Sequence, residues 1–424
     1  MSVADAVRGA GRVEVAAIAA RVGDMLADER LDRRGRDLGD LDAEEEREFA
    51  RRCARIELGD GAGDADVDAV VARVLGLGRL QPLLEDPEVN DVHARGSDPV
   101  WVKLRDGRRE RRAPIVDADD ELVELVRRAA TRMGRHERRF DAGSPELNMQ
   151  LPDGSRLFAV MDVSARPSLV VRRHRFDLSS LHELEDRGLM GRGARRLLAA
   201  AVRARRNVVV AGGTGSGKTT LLRALLNEVP ADERIVTIED AYELGLEHFA
   251  DRHPDHDALQ ARPANVEGRG EITLADLTRM ALRMDPDRVI VGEVRGAEAF
   301  PMLLAMSQGN DGSMCTMHAD STRSVFPKLA AYVAMAQTGL PVETTNLLVA
   351  SAVHLVVYVS IRDGRRRIAS IREVVDADGA QIVSNEVYAL DRHGQLRPAY
   401  PLRDETRRLL AEHGYDARDD ESAS

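Results

Sequence analysis

A short glycine-rich run carries the clearest chemical pattern in the sequence. Residues 208–210 are three consecutive valines, typical of a buried parallel strand, and leucines at helical spacing follow within residues 221–226. Between them the chain reads Gly212, Gly213, Thr214, Gly215, Ser216, Gly217, Lys218, Thr219 and Thr220. The first eight of these match the pattern G-x-x-x-x-G-K-[ST]. A strand, a glycine-rich turn and a helix in this order predict a loop whose backbone N–H groups surround a phosphate.

Two side chains of this loop have defined tasks in phosphate chemistry. Lys218 is expected to reach the β- and γ-phosphates of ATP, and the Thr219 hydroxyl is expected to bind Mg²⁺. The lysine is informative because the sequence has 61 basic residues and only Lys103, Lys218 and Lys328 are not arginine. A compact ammonium group in an arginine-rich chain favours nucleotide binding over a glycine-rich turn without a ligand. The sequence therefore predicts ATP and Mg²⁺ as cofactors.

Polar residues follow three later strand-like runs, at 235–238, 289–291 and 314–317. Glu239 follows the first run, Glu293 the second and His318 the third. Because open α/β sheets bind ligands at the carboxyl ends of their strands, we expect these side chains near the phosphate loop. Glu293 is predicted to be the catalytic base, Glu239 to hold Mg²⁺ through water, and His318 to sense the γ-phosphate.

The composition is that of a globular protein long enough for two or three domains. Of 424 residues, 43% are hydrophobic and only 3% aromatic, so aliphatic side chains must form the cores. The net charge of −11 argues against a dedicated nucleic-acid binder. Cys53 and Cys315 lack metal-binding spacing, which favours reduced cytosolic thiols. Charged residues interrupt the apolar run near the N-terminus, so we expect no signal peptide. The longest apolar run, 347–359, is too short to cross a bilayer, so we expect no membrane span.

Periodicity and composition divide the chain into five predicted segments. Residues 1–63 are predicted to be a charged helical extension, and 64–175 an α+β domain with hairpins at Asp106-Gly107 and Asp153-Gly154. A polar linker at 176–192 precedes an α/β domain at 193–375, in which strands and helices alternate. Residues 376–424 are predicted to be a C-terminal extension whose acidic tail after residue 415 is disordered.

Four segments together resemble the type II/IV secretion ATPase superfamily. They are the phosphate loop at 212–219, the acidic segment at 238–240, the segment at 284–295 and the segment at 309–321. The runs at 262–270 and 151–156 are similar to the CpaF-like branch, which is associated with Flp/Tad pili. The resemblance covers about residues 65–375. It implies an α/β fold with a RecA-like P-loop NTPase core, a smaller α+β (PAS-like) N-terminal domain, a homo-hexamer and an inner-membrane platform protein as partner.

The resemblance also implies roles for individual residues. Glu293 matches the catalytic glutamate, in a segment where Gly292 stands in place of the usual aspartate. Arg156 and Arg172 match arginines that the N-terminal domain supplies to the γ-phosphate, and Arg173 is a weaker match. A solvated surface position in an arginine-rich chain explains each arginine equally well.

The sequence departs from the family pattern at two places. Asn310 stands where the family usually has histidine, and Asp285 where it often has a basic residue. An amide can donate and accept hydrogen bonds but cannot carry charge. We therefore expect His318, rather than residue 310, to be the functional imidazole.

The phosphate-loop residues predict an ATPase, and the resemblance implies that this enzyme is cytosolic and docked peripherally on the cytoplasmic face of the plasma membrane. Its hydrolysis of ATP would power assembly of a Flp/Tad-type pilus or protein secretion, with no nucleic-acid partner. A conjugation or DNA-uptake motor of the same superfamily is the nearest alternative, and turnover stimulated by nucleic acid would favour it. An ATP-binding assembly scaffold is the second alternative, and tight binding without turnover would favour that.

Overall fold

Three helices begin the chain: α1 (Val3–Gly35), α2 (Ala43–Leu58) and α3 (Asp64–Leu75). The computed structural model describes residues 3–36, 41, 43–59, 61–133, 139–173, 180–265 and 267–416. The helices share a core in which Ile18, Val22 and Leu26 of α1 are buried with Ala54 of α2 and Val70 of α3. The helical segment predicted at 1–63 thus buries an apolar stripe against the first helix of the predicted α+β domain.

An antiparallel sheet forms the rest of this first unit, which ends at residue 175. A 3₁₀ turn (Gly78–Leu80) leads into α4 (Gln81–Glu85), β1 (Val89–Arg95), β2 (Val100–Leu104), β3 (Arg109–Arg112), α5 (Asp119–Met133), β4 (Glu146–Gln150), β5 (Arg156–Val160) and β6 (Ser168–Arg172). The strand order is β3-β2-β1-β6-β5-β4. Leu122 and Val126 of α5 are buried with Val92, Val102 and Leu157, which alternate with exposed residues along their strands. The smaller α+β domain expected from the sequence is confirmed.

The second unit, residues 176–424, is built on a nine-stranded sheet. Its elements are α6 (Leu181–Asp186), α7 (Arg192–Arg203), β7 (Val208–Gly212), α8 (Lys218–Leu226), β8 (Ile235–Glu239), a 3₁₀ turn (Leu246–Phe249), β9 (His256–Gln260), α9 (Leu274–Ala281), β10 (Arg288–Val294), α10 (Ala299–Ser307), β11 (Met314–Met317), α11 (Val325–Met335), α12 (Val342–Ala352), β12 (Leu355–Arg362), β13 (Arg365–Asp378), β14 (Gln381–Leu390), β15 (Leu396–Pro398) and α13 (Asp404–Glu412). The strand order is β15-β14-β13-β12-β7-β11-β10-β8-β9.

The strands from β12 to β9 in this order are parallel, and β12 to β15 are antiparallel. Helices cover both faces of the parallel part. Val208 and Val210 of β7 belong to the core shared with α7 and α8, whereas Val209 and Ala211 belong to the core shared with α9 to α12. Because successive strand residues face opposite sides, a run of valines buried on both faces is what such a central strand requires. The predicted α/β core with a large parallel sheet is confirmed.

Two predicted boundaries fall inside structural elements. The predicted linker at 176–192 contains α6, whose Leu181 and Leu184 are buried in the core of the second unit; residues 176–179 lie outside the described residues. The boundary predicted at residue 375 falls within β13, and β14, β15 and α13 continue the same sheet and core. Of the tail predicted to be disordered, residues 417–424 lie outside the described residues. None of the helices in the described part of the chain has the length and apolar composition needed to cross a bilayer.

Asn207, the residue before β7, joins four segments at the amino-terminal edge of the parallel sheet. Its side chain is fully buried, and its Nδ2 donates to the carbonyl oxygens of Met306 (2.8 Å) and Ala352 (2.6 Å). Its Oδ1 accepts hydrogen bonds from the backbone N–H groups of Gly312 (2.8 Å) and Ser313 (3.0 Å). The amide therefore satisfies backbone groups at the ends of α10 and α12 and before β11.

Replacing Asn207 by alanine should destabilise the second unit by at least about 3 kcal/mol, because four buried backbone groups lose their partner. Gln308→Ala, which removes an exposed amide after α10, serves as the control and should change stability by less than about 0.5 kcal/mol. Urea denaturation followed by circular dichroism measures both. Equal stability of the two variants would contradict the role assigned to Asn207.

Candidate nucleotide site

The glycine-rich loop turns sharply between β7 and α8. Gly215 has φ 73° and Gly217 has φ 101°, both in the left-handed region that glycine adopts without steric cost. A Cβ at Gly212 would lie 2.4 Å from the carbonyl oxygen of Val359 and 2.5 Å from Oγ of Ser216, so this position also admits only glycine. The loop ends at the N-terminus of α8, where unpaired backbone N–H groups favour an anion.

The loop residues fit a nucleotide phosphate with a bound metal ion. The hydroxyl of Ser216 is buried and has no hydrogen-bond partner among the described residues. Thr219, in the first turn of α8, is half-buried. The described part of the chain has no group of three or more His, Cys, Asp or Glu residues that could hold a metal ion. Mg²⁺ in nucleotide sites commonly takes few protein ligands besides phosphate oxygens and water, and Thr219 is the residue of this loop that would supply one.

Lys218 places its ammonium group inside this loop. Its side chain is buried, and Nζ donates to the carbonyl oxygens of Gly212 (3.2 Å) and Gly213 (3.1 Å). Burial lowers the pKa of Lys218, and the negative charges of Glu293 and Glu243 partly oppose that shift. A phosphate at the loop would add negative charge beside this ammonium and favour its charged form.

His318 and Glu293 meet beside Lys218. Nε2 of His318 lies 2.8 Å from Oε1 of Glu293, and the two ring nitrogens lie 3.4 and 3.5 Å from Nζ of Lys218. Both side chains are partly exposed, so water can reach the carboxylate. The tertiary structure thus brings together Glu293 near the end of β10, His318 directly after β11 and the loop that follows β7. A carboxylate that is oriented by an imidazole and lies near the ammonium group of a lysine is suited to activating water.

Glu239 occupies a different environment, although it also ends a strand. It is 3% exposed, and Oε2 accepts hydrogen bonds from the backbone N–H groups of Glu243 (2.8 Å) and Leu244 (2.9 Å). Burial raises the pKa of Glu239 to about 7, against the opposing effect of these hydrogen bonds. A Cβ at Gly292 would lie 3.1 Å from Cγ of Glu239. The glycine in place of the usual aspartate therefore gives the Glu239 side chain its space.

Two basic residues near the loop have no predicted role from the sequence. Lys328 of α11 donates from Nζ to the carbonyl oxygen of His318 (3.0 Å), which helps fix the backbone that carries the imidazole. Arg366 of β13 donates from Nε to the carbonyl oxygen of Gly215 (3.0 Å), and its Cδ lies 3.2 Å from where a Cβ at Gly217 would be. The rarity of lysine could have drawn attention to Lys328, whereas no local signal marks Arg366.

The two departures from the family pattern lie at the opposite edge of the sheet from the loop. Asn310 precedes β11 and donates from Nδ2 to the carbonyl oxygen of Pro286 (2.5 Å), while His318 follows the end of β11. Asp285 precedes β10 and has φ 52°. Because a strand separates each residue from the phosphate loop, neither contacts Lys218 or Glu293 in this structure.

The predicted arginines lie in the first unit, on neighbouring strands. Arg156 of β5 is paired in register with Arg172 of β6, which in turn faces Asp91 of β1. Nε of Arg172 donates to Oδ1 of Asp91 (3.0 Å), and its side chain remains 64% exposed. Arg173 instead donates to the carbonyl oxygens of Asp86 and Val89, which ties it to the backbone of its own unit. Arg156 and Arg172 thus lie beside each other on one face of this sheet, with Asp91 next to Arg172.

Comparison with known proteins identifies the family. Residues 75–395 match the family model described as "Type II/IV secretion system protein". The chain belongs to this family. It is 39% identical over 345 residues to a Mycobacterium tuberculosis (strain H37Rv) protein described as a conjugal transfer protein, a match that covers 79% of this chain and 94% of the relative. It is 31% identical over 318 residues to the type IV secretion system protein VirB11 of Brucella suis, covering 68% of this chain and 86% of the relative.

Solved structures agree on the fold. The Legionella pneumophila ATPase DotB has a TM-score of 0.50 and 17% sequence identity, and the match covers 70% of this chain and 79% of that protein. At this identity the likeness concerns the fold alone. It agrees with the RecA-like core and smaller N-terminal domain that this secretion family protein was expected to have.

Glu239 should make the stability of this family member depend on pH. Its pKa of about 7 lies above the unfolded value of 4.5, so the buried group favours folding when protonated and that contribution is lost as pH rises towards 7. Between about pH 4.5 and 7.5 the wild type should lose about 3 kcal/mol relative to Glu239→Gln. Urea denaturation across this range measures the difference, with the exposed Glu271→Gln as control. Parallel pH profiles for the wild type and Glu239→Gln would refute the assignment.

Proposed function

We propose that the chain hydrolyses ATP, with Mg²⁺ as cofactor, and that this hydrolysis powers a type II/IV secretion machine. The observation that carries the proposal is the contact of Glu293 with His318 beside the buried ammonium of Lys218 at a phosphate loop. A carboxylate base, an imidazole and a phosphate-binding cation at one edge of a sheet are the parts that phosphoanhydride hydrolysis requires. Membership of the secretion family supports the coupling of hydrolysis to transport.

Each residue has a stated role in this proposal. The N–H groups of the loop and Lys218 bind and orient the phosphates, and Thr219 completes the ligands of a Mg²⁺ ion that neutralises phosphate charge. Glu293 accepts a proton from the attacking water or orients it, and His318 holds the carboxylate through its 2.8 Å contact. Glu239, which is buried beside Gly292, acts in this proposal on the metal only through water.

The finer assignment is to a Flp/Tad-type pilus assembly ATPase of the CpaF-like branch. In this proposal the chain works as a homo-hexamer docked on an inner-membrane platform protein, at the cytoplasmic face of the membrane. The runs at 262–270 and 151–156 support the branch, and the second of these forms the turn that places Arg156 at the start of β5.

A DNA motor is the second candidate, because the Mycobacterium tuberculosis relative, at 39% identity, is described as a conjugal transfer protein. The net charge of −11 favours secretion without a nucleic-acid partner. Turnover measured with and without single- and double-stranded DNA separates the two candidates. Stimulation of at least about tenfold at physiological salt would favour the DNA motor.

Variants at the phosphate loop and at the base test the core of the proposal. Lys218→Ala should abolish binding of Mg-ATP, whereas Glu293→Gln should bind normally and lose turnover by about a hundredfold or more, because an amide cannot accept the proton. Calorimetry measures binding and phosphate release measures turnover, with Glu247→Gln as an exposed control. Unchanged turnover in Glu293→Gln would overturn the base assignment. Tight binding by a wild type without turnover would support the scaffold instead.

We further propose that Arg156 and Arg172 supply positive charge to the γ-phosphate during hydrolysis. Arg172→Ala and Arg156→Ala should each leave ATP affinity within a few-fold and reduce turnover by at least about tenfold, because the charge is needed mainly in the transition state. Arg109→Ala, on the edge strand β3 of the same sheet, is a matched control that removes an exposed arginine. Wild-type turnover in both variants would exclude this role.

A further inference from the structure

The second unit has another charged cavity, formed by α6, α7 and the turn after α13. It has a volume of about 450 Å³, and its uncharged lining residues are Ala199 and Gly414. All of its charged or titratable lining residues are basic: Arg192, Arg195, Arg196, Arg203, His182 and His413. No carboxylate lines it, in a chain whose net charge is −11. Such a concentration of one charge sign favours an anionic ligand.

The fold holds these groups in place. The four arginines occupy positions i, i+3, i+4 and i+11 of α7, so they share one helix face, while Leu197 and Leu198 face the core. His182 lies between Leu181 and the buried Leu184 on α6, with both leucines in the core. The basic residues that line the cavity are therefore carried by two helices whose other faces pack into the core of the second unit.

The turn after α13 is fixed in the same way. Gly414 has φ 94°, and the next residue, Tyr415, is buried and donates its N–H to the carbonyl oxygen of Leu410 (3.0 Å). His413 lies within 3.0 Å of the carbonyl oxygen of Leu409 through Nδ1. This side of the cavity is thus anchored by both apolar burial and hydrogen bonds.

Ion pairs orient two of the arginines without closing the cavity. Arg195 pairs with Glu185 and Arg203 with Glu228, and neither glutamate is a lining residue. Arg192 forms no hydrogen bond or ion pair with the described part of the chain. A guanidinium group pre-positioned by one carboxylate retains N–H donors for a second anion. The cavity therefore offers several donors from α7 to one ligand.

We propose that this cavity binds a compact anion with two or more phosphate groups. Arginine matches phosphate oxygens with paired N–H donors, and several arginines on one helix face can contact adjacent phosphates of one molecule. The volume of about 450 Å³ lies in the range of small-molecule sites. A soluble compound with two linked phosphates and the headgroup of cardiolipin, a phospholipid that carries two phosphates, share this chemistry.

The position of the cavity connects it to the phosphate loop. α6, which carries His182, packs against both α7 and α8, and α8 begins with Lys218. A ligand bound in this cavity would therefore contact α6, which lies against α8, the helix that follows the phosphate loop. Its site is separate from the loop because none of its lining residues belongs to residues 212–220.

The test uses the full chain with Lys218→Ala, so that the phosphate loop contributes little to binding. Inorganic pyrophosphate is titrated by calorimetry, and vesicles of phosphatidylcholine with or without cardiolipin are tested by flotation. The cavity variants are Arg192→Gln with Arg196→Gln, and separately Ala199→Leu, which fills the cavity without changing charge. Arg407→Gln with Arg408→Gln removes the same charge from exposed positions of α13 and is the control.

We expect both cavity variants to weaken pyrophosphate binding by at least about tenfold, and the control by less than about twofold. Binding of pyrophosphate that both cavity variants abolish would identify a soluble ligand. Binding only to vesicles that contain cardiolipin, abolished by the same variants, would identify a lipid headgroup. The proposal is overturned if neither probe binds, or if the cavity variants and the control bind alike.

Discussion

The buried ammonium group of Lys218 sets the constraint that the surrounding structure satisfies. A cation taken out of water is costly unless dipoles or charges compensate it. Two loop carbonyl oxygens lie within 3.2 Å of Nζ, and the negative charge of Glu293 favours its protonated form. The loop whose carbonyl oxygens compensate this charge also supplies the backbone N–H groups predicted to bind phosphate, so one loop conformation has to satisfy both requirements. The loop must therefore be held rigidly, which the fully buried strand β7 and Arg366 achieve from opposite ends.

Contacts at the amino-terminal edge of the sheet fix the strands whose opposite ends carry the candidate site residues. Arg288 is fully buried, and its guanidinium binds both oxygens of Glu233 at 2.7 and 2.9 Å. A Cβ at Gly312 would lie 2.5 Å from Nη1 of Arg288, so the glycine after Asn310-Asp311 leaves room for this pair. Breaking a buried pair by removing one partner is strongly destabilising. The segment with the unusual Asn310 thus serves to align β10 and β11, whose other ends carry Glu293 and His318.

Glu239 and Gly292 lie on neighbouring strands, and the lack of a side chain at Gly292 leaves room for the side chain of Glu239. Ile238 of β8 is paired with Val291 of β10, so Glu239 and Gly292, the next residue of each strand, lie side by side. The carboxylate is folded inward, where backbone N–H groups of Glu243 and Leu244 bind it. A side chain at residue 292 would compete for that space. Glycine at residue 292, where the family usually has aspartate, is therefore explained by the space that the Glu239 side chain needs. Glu293 remains the accessible carboxylate of β10.

The sequence by itself determined the phosphate loop, the central strands and the α/β class, because the constraints there are local: glycines with positive φ, a lysine at a fixed spacing and runs of β-branched residues. It did not reveal β9 or β14, whose residues are half-buried and mixed in polarity, since edge and hairpin strands need no continuous apolar run. Only the tertiary structure decided that Glu293 and His318 meet whereas Glu239 is buried. Which strand end faces water depends on strand order and on pairing between residues 24 to 53 positions apart, from Ile290 with Met314 to Ile238 with Val291, and no local pattern encodes that.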